Sequence, residues 1–134
     1  MTSGIEKLMN EPTLASLKLT LQEASLRHDA LASNVANVNT PGYHRVDVAS
    51  SFASSLNTAL HQIDKGETPT DIPKGTVSVA DVQNPARYDG NTVNLDQEMT
   101  ELMKNQSDFD FSARMLALHY SRVKQAIGGG TSGS

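Results

Sequence analysis

Apolar and small residues recur in this chain in two long stretches, at alternating steps of three and four. The first stretch takes in Leu14, Leu17, Leu21, Ala24, Leu31, Val35 and Val38, with His28 in the same register. The second takes in Leu95, Met99, Leu102, Gln106, Phe109, Ala113, Leu116, Tyr120, Val123 and Ile127. Steps averaging about 3.5 keep one stripe of a helix facing a neighbour, the heptad seam of helices packed side by side. The pattern predicts a mainly α fold, with long N- and C-terminal heptad helices forming an α-helical coiled-coil pair around a short irregular, β-containing middle. Residues 95–127, at about 1.5 Å each, would form a rod roughly 50 Å long.

Local signals bound these helices. Thr13, after Pro12, is a candidate N-cap for the first, although Pro12 then sits one residue early. Asn94 with Gln97 reads as a capping box for the second, and Asp96 and Glu98 put negative charge in its first turn. Gly128-Gly129-Gly130 reads as its end. Leu19 and Leu26 lie off the seam and widen the buried face. His28 and Gln106 are polar seam positions, either fixing register or standing in solvent. The same periodicity serves an antiparallel hairpin within one molecule or seams that close on neighbours.

The middle of the chain is read as a short helix carrying Phe52, Leu56, Leu60 and Ile63, ended by Lys65-Gly66. A loop with Pro69 and Pro73 follows, and then an alternating strand from Thr76 to Ala80. Asn84-Pro85 and Asp89-Gly90-Asn91 are turn signals. The expected organisation is an N-terminal helix and motif over 1–43, a middle segment over 44–93, a C-terminal helix over 94–127 and a flexible tail over 128–134.

Between the first helix and the middle stands Ala32-Ser33-Asn34-Val35-Ala36-Asn37-Val38-Asn39-Thr40-Pro41-Gly42-Tyr43. Pro41 lacks an N–H and pushes Thr40 out of the α region, so the helix must end before Thr40. Pro41-Gly42 suits the centre of a type II turn, with Gly supplying positive φ. Asn37 and Asn39 suit a helix exit, since Asn tolerates left-handed backbone.

Composition removes several classes of function. A net charge of −4 lacks the basic face of a nucleic-acid binder. The chain has no cysteine, which excludes disulfides and thiolate metal sites. His28, His44, His61 and His119 are spread without the spacing of a metal site. Asp108 and Asp110 point apart on a helix, and no serine sits in a nucleophile elbow. No catalytic residue, cofactor, metal or small-molecule substrate is expected. No stretch has the length of a membrane span, and Met1 to Glu11 lacks the basic start and apolar run of a cleaved signal. An apolar fraction of 37% leaves little material for a private core, so burial against partners is expected.

The string from Ala32 to Tyr43 resembles the signature A-x-N-x-A-N-x-x-T-P-G-Y of bacterial flagellar rod, hook and axial proteins. Asp89 to Met99 is similar to the segment that opens the C-terminal helix of proximal rod proteins, and the short length suits that group. The resemblance implies a structural subunit of the basal-body rod, exported by the flagellar type III apparatus without a cleaved signal. It implies a place in the periplasmic shaft that carries motor torque. The implied partners are other rod subunits and the basal-body proteins of the membrane ring and export gate, in homo- and hetero-oligomers. On this reading Asn34, Asn37, Thr40, Pro41, Gly42 and Tyr43 shape the turn, with Tyr43 anchoring it. Leu17, Leu21, Leu31 and Val35 are expected to pack against Leu102, Phe109, Leu116, Tyr120 and Val123, within or between subunits. The alternative is a soluble helical adaptor or export chaperone that binds partner helices through the same seam.

Overall fold

The computed structural model describes residues 12–71, 74–80 and 84–129. Among the described residues three helices and two short strands follow in order: α1 (Pro12–Ala36), β1 (Val46–Val48), α2 (Ser50–Asp64), β2 (Val77–Val79) and α3 (Leu95–Gly129). The chain is mainly helical, with the long terminal helices packed together, as the heptad patterns predict. They run antiparallel: Asn34 meets Glu98 near one end, and Asn105 reaches the Ala24 carbonyl nearer the middle.

Helix boundaries follow cap chemistry, with three departures from expectation. α1 opens on Pro12 rather than at a Thr13 cap, which gives proline its favoured first-turn place. Asn94 caps α3 by accepting the Gln97 N–H at 3.3 Å. The Gln97 side chain accepts from Asn84 at 3.0 Å, so it leaves the reciprocal half of the box unmade. α3 also continues through Gly128 and Gly129, because glycine weakens a helix without forbidding it. The start at residues 1–11, Pro73 and the tail beyond Gly129 lie outside the described residues.

α2 ends as Lys65-Gly66 predicts. Glu67 N–H bonds the Gln62 carbonyl at 2.8 Å and Gly66 N–H bonds that of Ile63 at 2.9 Å, a Schellman pair. Its buried face is Phe52, Leu56, Ala59 and Ile63, with Leu60 partly covered. Leu19, off the α1 seam, packs there with Leu56, Ala59 and Ile63. One side of α1 thus serves α2 and another serves α3.

The alternating strand pairs antiparallel with β1, Val46 opposite Val79 and Val48 opposite Val77. β1 begins three residues after Tyr43, so the motif delivers the chain straight into the sheet. Val77 and Val79 remain exposed.

The face of α3 that is buried differs from the predicted seam. Leu102 and Leu116 are half-buried and Val123 is buried, but Phe109 is 36% and Tyr120 49% exposed. Leu95, Met99, Gln106 and Ile127 are exposed as well. In their place Glu98, Asn105, Ser112 and His119, spaced at seven-residue intervals, are buried. The packed stripe is therefore shifted by one residue toward polar side chains. Burying polar groups is costly unless they are paired, and Asn105 and Glu98 are paired with α1. On α1, Leu31 is buried, while Leu17, Leu21 and Val35 are half-buried. His28 and Gln106 are both exposed, the solvated of the two readings.

Candidate functional site

The motif forms the hub of the fold. α1 ends at Ala36, and Asn37 donates from its side chain to the Ser33 carbonyl at 2.8 Å while its N–H bonds the same carbonyl at 3.0 Å. Neither Asn37 nor Asn39 takes left-handed backbone. This bonding of Asn37 to the last helical turn replaces the expected left-handed exit. Thr40 donates its hydroxyl to Asn37 Oδ1 at 3.1 Å. Tyr43 N–H closes the turn on the Thr40 carbonyl at 3.3 Å, and Gly42 at its third position has φ +72°, as a type II turn requires.

Asn34 is fully buried and uses its whole hydrogen-bonding capacity. Nδ2 donates to the Val46 carbonyl at 2.7 Å and to Glu98 at 3.0 Å. Oδ1 accepts the Val46 N–H at 2.9 Å and the Tyr43 hydroxyl at 3.2 Å. The amide thus pairs with both backbone groups of Val46 as a neighbouring strand would, and ties β1 to α3. Tyr43, half-buried, also shares a hydrogen bond with Ser33 Oγ at 3.1 Å, which gives its expected anchoring place a geometry.

Charge extends this clamp. Glu98 is fully buried and receives Arg45 Nε. Arg45 also reaches Asp47 at 3.1 Å; Arg27 lies 3.4 Å from Asp47 and 3.2 Å from Glu101. The charges alternate along Glu98, Arg45, Asp47, Arg27 and Glu101, crossing from α3 through β1 and α1 and back. Burial opposes the charge on Arg45, but the hydrogen bond and charge of Glu98, then Asp47, outweigh it and raise its pKa above the ordinary value. Breaking such a buried pair costs about 3–5 kcal/mol, because the surviving charge is left unpaired. The partly exposed Arg27–Glu101 end contributes far less.

A second contact secures the helix exit. Asn91, fully buried, shares its amide hydrogens among the carbonyls of Asn37 (2.9 Å), Val38 (3.2 Å) and Thr40 (2.8 Å). These carbonyls line the turn that follows α1, and each also accepts a second hydrogen bond, from Thr40 N–H, Arg87 and Tyr43 N–H respectively. Gly42 N–H bonds the Asp89 carbonyl at 2.8 Å, and Thr92 N–H that of Tyr43 at 3.1 Å. Gly90 has φ +78°, and a Cβ there would lie 3.5 Å from Gly42 Cα, so the turns touch backbone to backbone. Asp89-Gly90-Asn91, read in the sequence as a turn, thus braces the turn that follows α1.

The structure brings Asn34, Asn37, Thr40 and Tyr43 into one network and leaves Pro41 and Gly42 exposed at its tip. It adds Arg27, Arg45, Asp47, Asn91, Glu98 and Asn105, none of which the seams single out. Seven-residue spacing of Glu98 and Asn105 was the available signal. Among the described residues no group of three or more His, Asp or Glu is placed to hold a metal ion. No described helix is long and apolar enough to cross a membrane.

The arrangement joins α1, β1, α3 and the turn at residues 89–92 through one network of side chains. A sequence profile of flagella basal body rod proteins matches residues 19–44, most of α1 and the motif turn. The flagellar basal body rod protein FlgB of Aeromonas hydrophila is 30% identical over 118 residues, covering 81% of this chain and 87% of the relative. FlgB of Agrobacterium fabrum is 31% identical over 101 residues, 69% and 75%. FlgB of Bacillus subtilis is 25% identical over 126 residues, 88% and 95%. These alignments reach far beyond the motif and span most of both chains: the chain belongs to the FlgB family of flagellar basal-body rod proteins.

Proposed function

We propose that the chain is a structural subunit of the proximal rod that enters the shaft by burying the free flanks of α3 against helices of neighbouring subunits. The observation that carries this reading is the exposed apolar surface of α3. Met103, Phe111, Leu118, Tyr120 and Ile127 stay exposed although α1 is already packed on the helix. Exposed apolar side chains on both flanks of one helix offer interaction surface, and each such side chain contributes about 1.5–3 kcal/mol when covered. The clamp holds α1 and α3 in one register, so the flanks reach a neighbour as a preformed surface.

On this reading the subunit lies in the periplasmic part of the basal body and passes torque along the shaft. It is exported through the flagellar type III apparatus without a cleaved signal, contacts other rod subunits and ring or export-gate proteins, and catalyses nothing. Leu118→Asp tests the surface without touching the core. It should leave the helicity of the purified chain unchanged and abolish swimming, while earlier export substrates are still secreted. Normal swimming with Leu118→Asp would sink the proposal. Leu31→Asp, at a fully buried position, would instead unfold the chain.

A further inference from the structure

α3 carries a second heptad stripe beside the face packed on α1, with Asp108 and Phe111 bordering the groove between the two helices. It steps from Asp108 through Phe111, Met115 and Leu118 to Arg122 at intervals of three, four, three and four. Phe111 is 67%, Met115 37% and Leu118 53% exposed. Asp108 and Arg122, which close its ends, are exposed and make no ion pair among the described residues.

We propose that this stripe binds a second copy of itself, antiparallel and centred on Met115. Asp108 and Arg122 each lie seven residues from Met115. Reversing the helix about Met115 therefore sets Asp108 opposite Arg122 of the second copy, twice by symmetry. Phe111, four residues from Met115, then comes within one residue's rise, about 1.5 Å, of level with Leu118 of the other copy, three residues from it, and the two Met115 side chains meet on the axis. Parallel pairing in register would set Asp108 against Asp108 and Arg122 against Arg122, which is repulsive. A parallel shift that joins Asp108 to Arg122 slides the helices by about 21 Å and parts the apolar residues. Only the two-fold arrangement satisfies charge and apolar contact together, and such an interface is self-complementary. The dimer is a form of the chain outside the rod. It goes beyond the rod reading and competes for the same flank, so dimerisation withholds the surface until assembly.

The test is sedimentation equilibrium of the full chain in dilute solution, where rod assembly plays no part. A reversible dimer is expected, weaker in about 0.5 M than in about 0.02 M salt, because exposed pairs are screened. Arg122→Asp or Asp108→Arg should each weaken it about tenfold or more. The double swap should restore it to within about threefold, since the pairs re-form with reversed sign. The chain has no native cysteine, so Met115→Cys alone should oxidise to a dimer, whereas Asp108→Cys should do so only when mixed with Arg122→Cys. If a reversal lowers helicity, Arg122→Gln replaces it, with an expected loss of about threefold. A monomer under all conditions, single reversals without effect, or a double swap that restores nothing would overturn the dimer. So would efficient self-cross-linking of Asp108→Cys. The rod reading would stand through any of these, since it rests on the swimming of Leu118→Asp.

Discussion

Asn34→Asp changes the composition of one buried side chain by a single heavy atom and should cost much of the stability of the molecule. The Asn34 amide nitrogen donates to the Val46 carbonyl at 2.7 Å and to Glu98 at 3.0 Å. A carboxylate has no hydrogen to give, so both bonds are lost, about 1 kcal/mol for the neutral acceptor and about 1.5–3 kcal/mol for the charged one. The new charge also stands beside Glu98. Two unit charges some 4 Å apart repel by about 4 kcal/mol at an effective dielectric near 20, and Arg45 offsets roughly half. The sum is about 4–6 kcal/mol against a total of roughly 5–15 kcal/mol for a domain of ordinary stability. Urea unfolding followed by helical circular dichroism measures it directly. Burial beside Glu98 disfavours the introduced charge, so the repulsive part of the penalty is absent well below about pH 4 and grows as pH rises through that range, while the protonated acid still lacks one of the two amide hydrogens. The deficit should therefore shrink on acidification. A variant within about 1 kcal/mol of the parent at neutral pH would refute the argument that Asn34 clamps the fold.

Three further outcomes follow from the same geometry. Asn91→Ala removes one of two donors from three carbonyls in the turn after α1 and should cost about 1–3 kcal/mol, read as a lowered urea midpoint. Gly90→Ala and Gly42→Ala should each lower Tm by a similar amount, since both hold positive φ, at a cost of about 1–2 kcal/mol for an L side chain, and the added Cβ meets nothing closer than ordinary contact at either position. In a double-mutant cycle, Glu98→Gln and Arg45→Met should couple by about 2 kcal/mol or more, whereas Arg27→Met with Glu101→Gln should couple by under about 1 kcal/mol.

The long helices, the turn after α1 and the strand at Thr76–Ala80 were legible in the sequence, because periodicity and proline chemistry act locally. The partner of that strand was not. Arg45, Val46 and Asp47 look like loop residues, and their charges are accommodated only because Glu98 and Arg27 meet them across the fold. Which face of α3 turns inward was also hidden. An apolar stripe says that something covers it, and Phe109 and Tyr120 fulfil that condition equally well against a neighbour as against α1. Glu98 reads as an exposed first-turn acid until Asn34 and Arg45 are placed beside it. The motif asparagines were recognisable by family pattern, but the full pairing of Asn34 and the bracing by Asn91 depend on contacts 64 and 51 to 54 residues apart.

The central claim is that the clamp presents the free flank of α3 to neighbours in the rod. Thiol labelling of Leu118→Cys, in a chain with no other cysteine, tests it most directly. The account predicts rapid labelling in the purified chain under dilute, high-salt conditions and strong protection in isolated basal bodies. Equal labelling in the two states would contradict it.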